Sequence, residues 1–140
     1  MTAPHLMESM FRLVRSFKSR LAAELEAEGL SVAPTHMKIL KMIAPMEECT
    51  AQRIAQAVHR DKAQVNRVIQ ELVAQEMIER KPNPADKRSQ LLQLSDKGEV
   101  ALQAMNAVET RVLSRMTHGI EIENQQTFIT LAEQLRRNLS

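Results

Sequence analysis

The sequence predicts a mainly helical fold of the α+β class, with one two-stranded hairpin in the second half of the chain. Apolar residues recur with a helical period along most of the 140 residues. The pattern becomes extended only between about 77 and 94, around a turn that contains two prolines. Glycine occurs only at 29, 98 and 119, each near an expected helix boundary. We therefore expect a single domain over 1–140, without a flexible linker.

The first predicted helix spans about 4–28 and has a wide apolar face. One stripe contains Leu6, Met10, Leu13, Phe17 and Leu21, and a second contains Met7, Phe11, Val14, Leu21 and Leu25. Two adjacent stripes give more apolar surface than one packing contact needs, so this helix is expected to bury against partners on two sides. Gly29 is expected to end it.

Three shorter helices are predicted next, each from a boundary residue. Pro34 suits the first turn of the second helix, which Pro45 ends. Thr50 is a favourable cap for a third helix to about residue 57, and Asp61 for a fourth. A tight turn at 58–61 joins these last two helices.

The extended segment and the end of the chain complete the prediction. Strands at 77–81 and 90–94 flank the turn cluster 82–86, which predicts a hairpin with a charged tip. Ser95 is expected to cap a helix over 96–118, and a last helix is predicted over 123–138. One side of that last helix holds Phe128, Leu131, Ala132, Leu135 and Leu139.

Composition excludes several classes of function. With three phenylalanines and no tryptophan or tyrosine, the chain lacks the aromatic platforms on which single-stranded nucleic acids stack. No nucleophile–base set, phosphate-binding glycine loop or metal-ligand spacing of the four histidines is evident, so we expect no catalysis, cofactor or metal. The single cysteine and the absence of a signal-like or membrane-spanning segment predict a cytoplasmic protein.

Charge distribution and element order together indicate DNA binding. The net charge is only +2, but residues 50–94 hold +3 and the remainder −1. A helix, a tight turn, a capped helix and a hairpin form a winged helix-turn-helix. Its second helix presents its first turn outward, and the major groove of B-DNA, about 12 Å wide, accepts one helix. The candidate contacts in that turn are Lys62, Ala63, Gln64, Asn66 and Arg67.

The wing tip supplies a second set of candidate DNA contacts. Lys87 and Arg88 stand on a loop that Pro82 and Pro84 stiffen. We expect Asp86 to hydrogen-bond the Arg88 side chain and hold its guanidinium extended. An extended arginine suits the negative potential of a narrow minor groove.

Residues 50–100 resemble the core of the MarR family of bacterial transcription regulators. The matching residues run from Ile54-Ala55 through Asp61, Val65 and Arg67 to Ile78-Glu79-Arg80, and continue with Pro82-Asn83-Pro84-Ala85-Asp86-Lys87-Arg88-Ser89 and Leu94-Ser95-Asp96-Lys97-Gly98. The wing pattern, Asp-x-Arg followed by a leucine-rich strand and Leu-Ser-x-x-Gly, is the specific part. The resemblance departs at His59 and Glu76, where the family usually has glycine, and at Ala33, where it usually has threonine.

The resemblance implies a winged helix-turn-helix DNA-binding lobe over 34–94 and dimerisation helices over 4–29 with 96–139. It makes 61–75 the recognition helix, Arg88 the minor-groove arginine and Asp86 its support. The implied homodimer contacts include Leu6, Met10, Leu13, Phe128, Leu131 and Leu135. The implied activity is binding of near-palindromic double-stranded DNA, more often in repression than activation, with release by a small aromatic or phenolic effector.

Two alternatives stay open at this stage. A winged helix can serve as a protein-interaction module without contacting DNA, although such domains tend to lack the cations at the recognition helix and wing tip. Some regulators of this family sense oxidants through a cysteine, which here would be Cys49. The neighbouring Glu47 and Glu48 would raise the pKa of the Cys49 thiol and slow its oxidation.

Overall fold

The computed structural model of the protein describes residues 3–30, 32–58 and 61–140. In chain order the elements are α1 (Ala3–Ala27), α2 (Pro34–Ile43), α3 (Ala51–Val58), α4 (Lys62–Ala74), β1 (Ile78–Pro82), β2 (Gln90–Leu94), α5 (Asp96–Met116) and α6 (Ile122–Asn138). The predicted mainly helical class with one two-stranded antiparallel sheet is confirmed. None of the helices in these described ranges combines the length and apolar character needed to cross a bilayer. His59, in the predicted turn, lies outside the described residues.

Local contacts explain where three of the helices begin. The Gly98 N–H donates to Ser95 Oγ at 3.0 Å at the start of α5. The Ala63 N–H donates to Asp61 Oδ1 at 3.3 Å at the start of α4. Both caps satisfy backbone donors that a first helical turn leaves unpaired. α2 has no side-chain cap and begins at Pro34, whose missing N–H costs nothing there.

The hairpin starts one residue later than predicted, because Met77 belongs to the turn that follows α4. The Met77 N–H donates to the Leu72 carbonyl at 2.9 Å, which closes the last turn of that helix. Its carbonyl oxygen accepts from the Ser95 N–H at 3.0 Å. Met77 therefore connects α4, the base of the hairpin and the start of α5.

A backbone contact attaches the hairpin to the helix-turn-helix. Arg80 pairs with Leu92 across the ladder, and the Leu92 N–H donates outward to the Cys49 carbonyl at 2.8 Å. Arg80 and Leu92 are thus a non-hydrogen-bonded pair of the ladder. Such pairs alternate with hydrogen-bonded ones, so Pro82 and Gln90, two residues further on, are also a non-hydrogen-bonded pair. Proline ends β1 without removing a ladder bond.

One hydrophobic core joins the DNA-binding lobe predicted at 34–94 to α5. Its largest fully buried side chains are Ile39, Leu40, Cys49, Ile54, Val65, Ile69, Leu72, Met105 and Val108. Leu40 of α2 and Met105 of α5 are both completely buried in the same cluster. The lobe therefore packs directly on α5 through apolar side chains.

α1 and α6 leave most of their apolar side chains uncovered. In α1, Leu25 is buried and Phe17 and Leu21 are half-buried, whereas the first half of the helix is exposed. None of the residues of α6 is buried. The six predicted dimer residues have exposed fractions of 41% (Leu6), 45% (Met10), 40% (Leu13), 60% (Phe128), 53% (Leu131) and 41% (Leu135). The two-sided burial expected of the first helix does not occur within one chain.

Candidate nucleic-acid interface

α4 has a buried apolar face and an exposed first turn. Val65, Val68, Ile69 and Leu72 lie in the core. Lys62, Ala63, Gln64 and Arg67 are exposed, and Asn66 is half-buried. The side chains predicted to contact DNA are thus available on the surface, while the apolar positions fix the rotation of the helix about its axis.

A series of short polar contacts orders the wing tip. Asn83 Oδ1 accepts from the Ala85 N–H at 3.0 Å, and Asn83 Nδ2 donates to Ser89 Oγ at 3.0 Å. Asp86 Oδ1 accepts from the Arg88 N–H at 2.9 Å. The two bonds to backbone N–H groups form turns of the kind that Asn and Asp favour, and the bond from Asn83 to Ser89 joins two side chains.

The partner of Asp86 differs from the one expected. We predicted a hydrogen bond from Asp86 to the Arg88 guanidinium, but the donor is the Arg88 backbone N–H. Asp86 therefore supports the wing by fixing the main chain of the tip. Among the residues that the structure describes, no carboxylate forms an ion pair with the exposed Arg88 side chain, which leaves its guanidinium available to another anion.

α4 and the hairpin enclose a cleft with cations on both sides. The side chains that line it include Thr50, Gln52, Lys62, Asn66, Arg80, Lys87, Arg88 and Ser89. Two predicted residues of the helix and two of the wing therefore meet in one place. A cleft with positive charge on facing walls attracts a polyanion, because the fields of the two walls add.

The remaining predicted residues of α4 lie elsewhere. Gln64 and Arg67 line a separate depression between α2 and α4, together with His36 and Glu71. Ala63 is exposed and lines neither cavity. The predicted set is thus divided between two sides of the recognition helix.

Arg80 is a cleft residue that we did not predict from the sequence. It lies on the same face of β1 as the buried Ile78, because side chains alternate along a strand. Arg80 itself stays exposed at the mouth of the cleft. Its position two residues after an inward-facing isoleucine was the available signal. Gln52, in the first turn of α3, was also missed, and nothing in its local sequence distinguishes it.

A polar contact links α2 to the recognition helix. His36 Nε2 lies 2.5 Å from Glu71 Oε2, and the His36 side chain is mostly buried. His36 Nδ1 is buried without a hydrogen-bond partner. The contact ties the middle of α4 to α2 and adds to the apolar packing that sets the direction of α4.

Cys49 is a buried core residue. Its exposed fraction is 1%, and its carbonyl accepts the hydrogen bond from β2. Burial raises the pKa of the Cys49 thiol, with a smaller opposing effect of the Arg53 charge. From the sequence we expected Glu47 and Glu48 to raise this pKa, whereas the cause in the structure is desolvation of the thiol. A buried, protonated thiol is a poor nucleophile towards oxidants.

Comparisons with known proteins agree with this architecture. A model of the MarR family matches residues 32–90. A mutant of S. aureus MepR has a TM-score of 0.79 at 15% identity, with all of both chains covered. The S. aureus MepR–DNA complex gives 0.77 at 18% identity, covering 98% of each chain. A mutant MarR from E. coli complexed with operator DNA gives 0.74 at 19% identity, covering 96% of this chain and 99% of that one.

Structural likeness at these identities shows the fold, and the family model adds the match in sequence. The matched segment begins just before α2 and ends at the first residue of β2, so it includes the whole helix-turn-helix and the wing tip. Residues 32–90 match the model of the MarR family, and nearly the whole length of the chain is similar in fold to the solved structures of MarR and MepR.

Proposed function

We propose that this protein is a sequence-specific regulator of transcription that binds double-stranded DNA as a homodimer. The observation that supports this most directly is the cleft between α4 and the wing, where Lys62, Lys87 and Arg88 converge from two elements. The structures of MepR with DNA and of mutant MarR with operator DNA share the fold that positions these elements.

The first turn of α4 is proposed to enter the major groove. Asn66 and Gln64 have side-chain amides that can bond an adenine edge with two hydrogen bonds, and Lys62 can reach a phosphate or a guanine. The helix N-terminus adds a favourable partial positive charge for phosphate. Because Gln64 and Arg67 face away from the cleft, they would contact the groove wall opposite to the wing.

The wing is proposed to place Arg88 in the adjacent minor groove. The Asn83 and Asp86 turns fix the backbone of the tip, so less conformational entropy is lost when the tip meets DNA. Arg88 has no acidic partner to displace among the described residues, and narrow minor grooves attract arginine through their negative potential.

The uncovered apolar faces of α1 and α6 support the homodimer. An isolated chain would expose Leu6, Met10 and Leu13 on α1 and Phe128, Leu131 and Leu135 on α6, and exposed apolar helix faces of this kind are typical of interaction surfaces. A second copy supplies a self-complementary partner for these helices. Such a dimer would present two α4 helices to a near-palindromic site about one DNA turn, ~34 Å, apart.

The family resemblance extends the proposal to regulation. We propose repression in the bacterial cytoplasm, relieved when a small aromatic or phenolic effector changes the relation of the two DNA-binding lobes. The protein-interaction alternative is disfavoured by the converging cations of the cleft, and cysteine-based sensing by the burial of Cys49.

Substitution of Arg88 tests the proposal. Duplexes that bind the wild type are first selected from a random pool at low salt, and affinities are then measured by fluorescence anisotropy. Arg88→Ala is expected to weaken binding about tenfold or more, because a groove-inserted arginine contributes ~1–3 kcal/mol. Thermal stability should not change, since Arg88 is exposed and the hydrogen bond to Asp86 uses its backbone.

Arg12→Ala is the matched control, because Arg12 is an exposed arginine on α1 far along the chain from the cleft. It should bind the selected duplexes like the wild type. Equal binding by Arg88→Ala would remove the wing from the interface. If the wild type selects no duplex even at low salt, the DNA-binding function itself is wrong and the protein-interaction module is favoured.

A further inference from the structure

An ion pair connects the DNA-binding lobe to the long helix behind it. Lys41 Nζ, in the last turn of α2, lies 2.5 Å from Glu109 Oε2 of α5. The two side chains are 34% and 27% exposed, so the pair is partly shielded from solvent. Partial shielding makes a charge pair stronger than one at an open surface.

A second polar junction lies at the other end of the same interface. Ser95 donates from its N–H to the Met77 carbonyl and from Oγ to the Glu76 carbonyl, at 3.0 and 2.5 Å. Gly98 lies against the Met77 carbonyl so closely that an added Cβ would be 2.0 Å from its oxygen. This junction fixes the base of the wing to the first turn of α5.

Between the two polar contacts lie a buried apolar cluster and an open cavity, whose lining includes Ile43, Leu92, Glu99 and Gln103. Leu40 and Ile43 of α2 belong to the same buried apolar cluster as Met105 and Val108 of α5. Such contacts favour burial but have little directional preference, so they permit small sliding movements. The Ser95–Gly98 junction at one end and the Lys41–Glu109 pair at the other are directional contacts between the lobe and α5.

Helix geometry determines how far the lobe tilts when the distance between Lys41 and Glu109 changes. Gly98 and Glu109 are eleven residues apart, about 17 Å along α5 at 1.5 Å per residue. Inserting a water between the two charges would lengthen their contact by about 2 Å. That displacement tilts the lobe by about 7°, and two lobes of a dimer by about 14° relative to each other. Each base pair turns DNA by about 34–36°, so this change in the angle between the two lobes is about two-fifths of the rotation of one base pair.

We propose that the Lys41–Glu109 ion pair sets the half-site spacing that the dimer prefers, by fixing the angle between each DNA-binding lobe and α5. Both residues are positioning residues and contact no DNA. The inference rests on the proposed function, because it concerns how two lobes fit one duplex.

The test compares spacer lengths. A duplex selected by the wild type is remade with one or two base pairs added or removed between its half-sites, and each duplex is titrated with wild type, Lys41→Gln and Glu109→Gln. The wild type is expected to prefer its native spacer about tenfold over the altered ones. The single variants should reduce this preference to about twofold, and the exchanged pair Lys41→Glu/Glu109→Lys should restore much of it.

Glu133→Gln provides the control, because it removes an exposed ion pair with Arg136 on α6. It should keep the full spacer preference. A purely structural role of the Lys41–Glu109 pair would lower affinity for all spacers alike, together with the melting temperature, and that result would overturn the inference. So would single variants that keep the tenfold preference. A wild type that binds no duplex would instead overturn the proposed function, and the inference with it.

Discussion

Replacing Gly98 with alanine probes the junction between the wing and α5. A Cβ built at Gly98 would lie 2.0 Å from the Met77 carbonyl oxygen and 3.0 Å from its carbonyl carbon. Real Cβ atoms do not approach other atoms closer than 3.0 Å, so the Met77 peptide or the first turn of α5 must move by about 1 Å. The obstacle is backbone that also accepts the Ser95 N–H, and it cannot rotate away as a side chain could.

The size of the effect follows from two opposing terms. Overpacking against backbone costs up to about 3 kcal/mol. Alanine gains ~1 kcal/mol over glycine in a helix. The expected net loss is about 2 kcal/mol in the free energy of unfolding. For a chain of this length that corresponds to a melting temperature about 6–8 °C lower.

Thermal denaturation followed by circular dichroism measures this loss, at one fixed protein concentration because a dimer's stability depends on concentration. Gly119→Ala is the comparison, since Gly119 has a φ of +77° and no atom within 4 Å of the added Cβ. Alanine there should cost only ~1 kcal/mol of left-handed strain. A Gly98→Ala variant that melts at or above the wild-type temperature would show that the Met77 carbonyl does not obstruct the added Cβ.

Three further predictions concern single sites. Glu76 has a φ of +64°, so Glu76→Gly should raise the free energy of unfolding in urea by ~0.5–1 kcal/mol. Ser95→Ala should lower it by ~1–2 kcal/mol, because the α5 cap and the bond to the Glu76 carbonyl are both lost. Burial raises the pKa of Cys49, so the unfolded thiol ionises first. The contribution of Cys49 to stability should therefore be complete at neutral pH and decline as the pH rises above 9.0, and Cys49→Ala should reduce that alkaline loss in urea titrations across pH.

Each of these predictions has a result that contradicts it. A less stable Glu76→Gly variant would mean that the carboxylate makes a compensating contact. Wild-type stability in Ser95→Ala would mean that water replaces the cap without loss. For Cys49, an alkaline decline that is identical in Cys49→Ala would assign the pH dependence to other groups.

Much of the fold was predictable because its signals are local. Asp61 and Ser95 cap the helices they were expected to cap, since a cap needs only the next two or three residues. The strand at 90–94 matches β2, because a leucine-rich run between turn residues has few alternatives. The start of β1 was misplaced by one residue, because the hydrogen bonds of Met77 lead to Leu72 and Ser95 and were not visible in its local sequence.

The binding surface was predictable only in part. Lys62, Asn66, Lys87 and Arg88 share one cleft as the winged helix-turn-helix pattern implied. The separation of Gln64 and Arg67 from that cleft depends on the angle between α4 and the hairpin, which no short-range pattern encodes. The donor to Asp86 depends on which group of Arg88 the turn brings close. The sequence alone does not distinguish the backbone N–H of Arg88 from its guanidinium as that donor.

The sequence by itself determined the order of helices and strands, the exposed first turn of α4 and the apolar faces of α1 and α6. Those features follow from periodicity, capping and turn chemistry, which act over a few residues. Only the tertiary structure decided that Arg80 enters the cleft, that Lys41 meets Glu109 across 68 positions of sequence, and that desolvation controls Cys49. These depend on how the core rotates each helix and strand about its axis, and that rotation results from the packing of the whole chain.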